Sequence, residues 1–226
     1  MMATTLATTL AITPLLAQDN DVTKRLNDAA IVFSEVMDAP DKGIPQDLLE
    51  KAHCIVIVPD LKTAAFVVGG KYGKGYLSCR KPKGDGWSAP ATVRIEGGSV
   101  GFQIGASSTD LIMLVMSERG ADKLLASKFT LGAEGSVAAG PIGRTATAQT
   151  DTQMRADILS WSRSQGLFAG VALQGATLRE APEDNVMLYG KTLDSRTIVT
   201  KGVNAPAAAD RLLSLLSRYS AKERRN

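Results

Sequence analysis

Residues 54–80 read CIVIVPDLKTAAFVVGGKYGKGYLSCR, and the fold turns on how this stretch is divided. Cys54–Val58 is apolar and β-branched, and Ala65–Val68 is similar. Such runs read as strands, with Pro59 expected to stop the first. Gly69–Gly75 then reads as a glycine-rich turn, and Tyr76–Arg80 as the strand that follows it. Lys81–Gly86 reads as a second turn. Trp87–Ile95 begins a further strand, Gly97-Gly98 a tight hairpin, and Ser99–Ala106 the returning strand. Leu111–Met116 is continuously apolar and is expected to be a fully buried strand. The glycines inside these apolar segments need a reason, because each removes a packing side chain. Strands tolerate that loss where a sheet bends sharply or two backbones approach closely. The expectation is therefore of strongly curved sheets in tight contact.

Helical periodicity brackets this β-rich centre. Val22–Asp38 carries apolar residues at three- and four-residue spacing, and Pro40 and Gly43 are expected to end it. Pro45–Ala52 reads as a short second helix, Glu118–Ser127 as a third, and Ala207–Tyr219 as a C-terminal amphipathic helix. Asp157–Ser162 and Leu167–Leu173 read as paired strands about a turn at 163–166. Asn185–Thr192 reads as a short helix or turn, and Ser195–Val199 is ambiguous. No linker interrupts residues 22–220. The fold class is α+β: curved, glycine-rich, mainly antiparallel β-sheets packed with an N-terminal and a C-terminal helix, in one domain spanning residues 18–226. Residues 1–17 hold no charged residue and enclose a short apolar region before Gln18-Asp19, which resembles a signal peptide cleaved after Ala17. An exported protein, periplasmic or envelope-associated, is the matching expectation. No stretch reaches the roughly 18 apolar residues of a membrane-spanning helix.

The chain has 226 residues and a net charge of +3, which argues against nucleic-acid binding through bulk charge. Two cysteines, Cys54 and Cys79, and the single His53 make neither a four-ligand zinc site nor a disulfide framework. No metal or cofactor is expected. A Cys54–Cys79 bridge requires neighbouring strands and an oxidising compartment. Catalytic motifs fail on spacing. Val68 stands where a phosphate-binding loop needs its first glycine, and Gly75 follows Lys74 where that loop needs Ser or Thr. Ser78 and Lys81 match a bare Ser-x-x-Lys spacing, but the companion motifs of that hydrolase class are absent. A protein that binds rather than catalyses is the expectation.

Charge placement supplies a candidate site. Between Asp60 and Gly86 the basic residues are Lys62, Lys71, Lys74, Arg80, Lys81 and Lys83, against Asp60 and Asp85. With Tyr72 beside them, Lys62, Lys71, Lys74, Arg80, Lys81 and Lys83 are candidate contacts to a phosphate-bearing head group. The alternative is a solvated hairpin tip.

Taken in order, AHCIVIVP (52–59), Lys62, FVVGGKYGKG (66–75), WSAP (87–90), GFQIG (101–105), 110–116, GPIGR (140–144), WSRSQGLFAG (161–170) and 185–190 resemble the SYLF domain family. The resemblance runs from about residue 24 to residue 219. It implies a non-catalytic module that binds anionic phospholipids, phosphoinositides in eukaryotic members, some of which also contact actin. Trp161 stands where the family commonly has tyrosine. For an exported bacterial member, the implied partner is an anionic phospholipid surface of the cell envelope; a second envelope protein is the alternative.

Overall fold

The computed structural model of the protein describes residues 15–39, 43–81, 86–140, 156–164, 167–168 and 173–220. The stretch that decides the fold is one strand rather than three segments. Strand β1 runs Cys54–Cys79 and strand β2 runs Ala91–Val115, of 26 and 25 residues. They pair antiparallel from Cys54 opposite Val115 to Leu77 opposite Ala91. Three expectations are corrected here. Pro59 lies within β1, Gly69–Gly75 is strand rather than turn, and Gly97-Gly98 sits inside β2 opposite Lys71 and Gly70 rather than at a hairpin tip.

The local turn signals fail because the ribbon bends as a whole. A straight strand of this length would span about 80 Å. Yet the Cα atoms of Cys54 and Cys79 are 3.9 Å apart, joined by a disulfide, and the Arg80 amide donates to the His53 carbonyl at 2.8 Å. The two-stranded ribbon has rolled until its own strand meets itself. Register slips between Val58 and Leu61 and between Phe66 and Val67 are the irregularities that let it bend. Asp60 occupies the first slip with a positive φ of 60°.

Glycine permits the closure. A Cβ on Gly75 would lie 2.1 Å from the Ile57 carbonyl oxygen and 2.8 Å from Val58 Cα. One on Gly73 would lie 2.8 Å from Val58 Cγ1 and 2.9 Å from Leu61 Cδ1. The end of β1 therefore rests directly on its own beginning, as tight packing of curved sheets requires.

The ribbon's other edge is lengthened by short strands. The N-terminal part of β2 pairs with β7 (Thr177–Glu180), which in turn pairs with β3 (Lys128–Thr130). The C-terminal part pairs with β5 (Ile158–Ser164), which also holds β4 (Val137–Ala139) in parallel and β6 (Leu167–Phe168) antiparallel. The described strands thus form one 7-stranded, mainly antiparallel sheet, curled on itself. Strand β7 has no counterpart in the sequence reading.

The sheet divides two apolar cores. On one face, Ile55, Ile57, Ile112, Leu114 and Trp161 pack against helices. On the other, Val56, Val58, Leu111, Met113 and Val115 pack inside the curl with Phe129, Leu178 and Ile198. Burial on both faces explains why Cys54–Val58 and Leu111–Val115 read as continuous apolar runs. Helix α1 (Leu15–Met37) begins earlier than Val22 and buries Val22, Leu26, Ala29, Ala30, Phe33 and Val36 on the first core. Helix α2 spans Gln46–Lys51. Helix α6 (Asp210–Tyr219), entered through a 3₁₀ turn at Ala207–Ala209, adds Leu212 and Leu216, and its Tyr219 meets Phe33 edge-on at 5.9 Å. Three shorter helices fill the ends. Helix α3 (Glu118–Leu124) is capped by Ser117 Oγ, and α5 (Ser195–Thr200) by the Asp194 carboxylate. Helix α4 (Pro182–Tyr189) opens on proline and closes on left-handed Gly190. The architecture is the expected one: an α+β fold of curved, glycine-rich, mainly antiparallel sheet packed with an N-terminal and a C-terminal helix, both on the same face.

Candidate ligand-binding surface

The basic candidates of β1 separate into structural and exposed groups. Pleating places Tyr72, Lys74 and Tyr76 on one face of the strand. Tyr76 is buried and its hydroxyl donates to the Val22 carbonyl of α1, while burial pushes that hydroxyl's pKa well up. Lys74 Nζ lies 2.8 Å from Asp184 Oδ1, and Arg25 Nη1 lies 2.6 Å from Asp184 Oδ2. Asp184 is 2% exposed, at the start of α4. This carboxylate therefore ties β1, α1 and α4 together, and Lys74 neutralises it from a partly exposed position. Arg80 is also committed. Its Nη2 donates to the Leu49 carbonyl at 3.0 Å, and its guanidinium stacks over Trp87 at 4.3 Å.

The remaining candidates fall in two places. Lys62, Lys71 and Tyr72 lie on the middle of the ribbon. Lys62 is exposed and sits 2.6 Å from Asp60, itself exposed. Burial pushes the Asp60 carboxyl up, but the Lys62 ammonium and Ser108 hydroxyl outweigh it and hold the group below its usual range. Lys71 is half-buried, which lowers its pKa, and Tyr72 is 49% exposed. Lys81 is exposed at the far end of β1, away from this segment in sequence. Lys83 lies outside the described residues.

Between Lys62 and Lys71 the ribbon carries no charge. Residues Thr63–Gly70 read TAAFVVGG, and the facing residues Gly97–Thr109 read GGSVGFQIGASST. Phe66 stands opposite Ile104 and Val68 opposite Val100 in the register. Among the described residues, no further strand pairs with either edge of this stretch. Ala64, Gly70, Gly98, Ala106, Ser107 and Ser108 are exposed.

The catalytic alternatives find no constellation. Ser78 is 2% exposed and its hydroxyl donates to the Ser88 carbonyl at 2.8 Å. His53 is exposed at the entry to β1 and gives its carbonyl to ring closure. Among the described residues, no three His, Cys, Asp or Glu side chains gather as metal ligands, and no helix is long and apolar enough to cross a membrane. Sequence reasoning missed Asp184 and Arg25. The sequence reading began this helix at Asn185, one residue after Asp184, and the partners of Asp184 lie 110 and 159 residues away.

Residues 96–219 match a family described as "Ysc84: Las17-binding protein actin regulator". The chain belongs to this family. The match starts in β2, ends at the close of α6 and covers the sheet's short strands. The chain is also similar to "SH3 domain-containing YSC84-like protein 1" of Rattus norvegicus, 32% identical over 193 residues covering 84% of this chain and 56% of the relative. It is 36% identical over 181 residues to "Protein YSC84" of Saccharomyces cerevisiae, covering 78% of this chain and 38% of the relative. Against "LAS seventeen-binding protein 3" of Saccharomyces cerevisiae it is 33% identical over 181 residues, 78% of this chain and 39% of the relative. The chain thus corresponds to about half or less of each relative's length. These relatives are named for binding and for an SH3 domain, and none for a reaction.

Proposed function

We propose that the protein is a non-catalytic module that binds anionic phospholipid surfaces, with phosphoinositide-like head-group recognition, in a bacterial cell envelope. One observation carries the reading: an uncharged mid-ribbon segment, with which no further strand pairs among the described residues, is bordered by Lys62 on one side and by Lys71 and Tyr72 on the other. Such a segment suits the head-group region of a bilayer, where water still satisfies free strand edges but apolar side chains are partly removed from it. Each lysine near an anionic surface adds about 1 kcal/mol, and an exposed tyrosine suits the same boundary. The Cys54–Cys79 bridge supports export, because disulfides persist in oxidising compartments.

Vesicle co-sedimentation tests the reading. Phosphatidylcholine vesicles with and without about one-third phosphatidylglycerol are compared for the native protein and for Lys62→Glu/Lys71→Glu. Two charge reversals at about 1 kcal/mol per charge unit predict roughly a hundredfold or greater loss on anionic vesicles, and added salt reproduces part of it. Equal binding to both vesicles, or an unaffected double variant, refutes the proposed surface. Lys74→Glu is unsuitable because it places a second carboxylate against Asp184.

A second reading follows from the family description and from the name of the yeast relative "LAS seventeen-binding protein 3". In it the same ribbon docks another protein, in this setting an envelope protein. Recovery of one stoichiometric protein partner, with no vesicle binding, favours that reading.

A further inference from the structure

A cleft of about 450 Å³ lies among residues other than those of the mid-ribbon surface, between the residues that follow β1 and the segment from α5 to α6. Its walls are mainly apolar, from Trp87, Ala89, Val199, Val203, Ala205 and Leu213, with the exposed Asn204 among them. Its volume lies within the roughly 300–1,000 Å³ of small-molecule sites. Lys81 stands at its rim, exposed, and among the described residues no carboxylate pairs with it. The hydroxyls in the wall are already engaged. Ser88 Oγ accepts from the Cys79 amide at 3.0 Å, and Thr200 Oγ1 donates to the Arg196 carbonyl at 2.7 Å. Trp87 Nε1 donates to Ser220 Oγ at 2.9 Å, which fixes the indole as a wall. The lining therefore offers mainly apolar surface, one exposed amide at Asn204 and one cation at Lys81.

We propose that this cleft takes the tail of a single-chain anionic amphiphile, with Lys81 Nζ meeting the carboxylate or phosphate of its head. A mainly apolar pocket whose hydroxyls are bonded internally selects by buried methylenes, and the rim lysine selects the sign of the head group. A neutral amphiphile gains only the first contribution. A short polar anion gains only the second. The site lies on different residues from the mid-ribbon surface, so it stands or falls independently of vesicle binding.

Dodecanoate, kept below its micelle concentration, is the probe, with binding to the intact oxidised protein followed by titration calorimetry. The expected result is saturation at one dodecanoate per chain. Octanoate, four methylenes shorter, binds about 250-fold more weakly where all four are buried, since each buried methylene contributes about a fourfold factor. Dodecanol, which lacks the charge, and Lys81→Glu each weaken the interaction severalfold. Val203→Trp fills the cleft from a half-exposed turn position and abolishes binding while circular dichroism and the unfolding midpoint stay native. Leu213→Trp, from the helix opposite, provides the same test should Val203→Trp disturb the fold. Non-saturating uptake, absence of binding, indifference to chain length, or full binding by both folded Trp variants overturns the proposal. Loss of dodecanoate binding in Val203→Trp with vesicle binding intact separates this site from the ribbon; loss of both overturns their independence.

Discussion

Gly75→Ala adds one methyl group at the place where β1 lies on itself. That Cβ would sit 2.1 Å from the Ile57 carbonyl oxygen and 2.8 Å from Val58 Cα, both backbone atoms of the same strand. Neither can rotate away, so one layer must shift by about 1 Å against close packing, at a cost at or above the upper end of the 1–3 kcal/mol typical of overpacking. At Gly73 the nearest atoms are the ends of the Val58 and Leu61 side chains, at 2.8 and 2.9 Å, which yield more readily. At Gly70 the nearest atom is the Gly97 carbonyl oxygen at 3.9 Å, an ordinary contact. There alanine removes the entropic cost of glycine and stabilises by about 0.5 kcal/mol. The expected losses are about 3 kcal/mol for Gly75→Ala, 1–2 kcal/mol for Gly73→Ala and none for Gly70→Ala. In a domain of this size, 3 kcal/mol corresponds to a fall in Tm of about 6–12 °C. Urea unfolding of the oxidised variants, with circular dichroism as probe and m-values compared, measures the series. A Gly75→Ala protein within 0.5 kcal/mol of native, or a Gly70→Ala protein as damaged as Gly75→Ala, refutes the self-crossing ribbon as the reason for these glycines.

Two further predictions concern what holds the curl. Asp184→Asn leaves Lys74 without its carboxylate and Arg25 with only the exposed Asp21, and is expected to cost about 3 kcal/mol, at the low end for a broken buried pair because Lys74 is partly exposed and Arg25 keeps that second partner. Denaturant midpoints of Asp184→Asn and of Lys74→Met check this, and the lysine variant is the milder because it leaves Arg25 on the carboxylate. The Cys54–Cys79 bridge closes a loop with a sequence separation of 25, for which chain entropy gives about 3.5 kcal/mol. Thermal melts with and without dithiothreitol are expected to differ by about 7–14 °C; coincident melts of verifiably reduced and oxidised protein exclude a stabilising clasp.

The helices and the buried strand segments were legible because their signals are local. The spacing of Leu26, Phe33 and Val36 in α1, and of Leu212 and Leu216 in α6, states which face is buried. The continuous runs at Cys54–Val58 and Leu111–Val115 state burial on both sides of a sheet. The long ribbon was not legible, because Gly69–Gly75 and Gly97-Gly98 carry turn chemistry that rules of local sequence cannot set aside. Only contacts such as Gly75 with Ile57 give those glycines another cause. Strand β7 was missed because Thr177–Glu180 offers a single buried apolar residue, Leu178, in four positions. In the candidate site, counting basic residues recognised an excess but not its use. Lys74 is absorbed by Asp184 and Arg80 by Trp87 and Leu49, and neither partnership has a signature in the segment that holds the base.

A ribbon whose middle pairs with no further strand among the described residues poses a problem that its lysines address in one of two ways. Free strand edges invite pairing with other chains, and edge lysines, bulges and tight twist are ordinary defences. Lys62 and the two register slips fit that description as well as they fit a membrane contact. The two roles diverge in what lies between the lysines. Residues 63–70 read TAAFVVGG, without a charge, where among the described residues no further strand pairs with them. For protection alone, polar residues there would serve better, as Ser107 and Ser108 do on the same ribbon. Under the proposed function an anionic surface covers that stretch and the cationic border selects it; under the protective role alone vesicle binding is absent, and the same charge reversals change only self-association. The glycines then acquire a single physical logic along β1: those at 73 and 75 let the ribbon close, and the closure holds the segment around 63–70 as a fixed bend that a surface can meet.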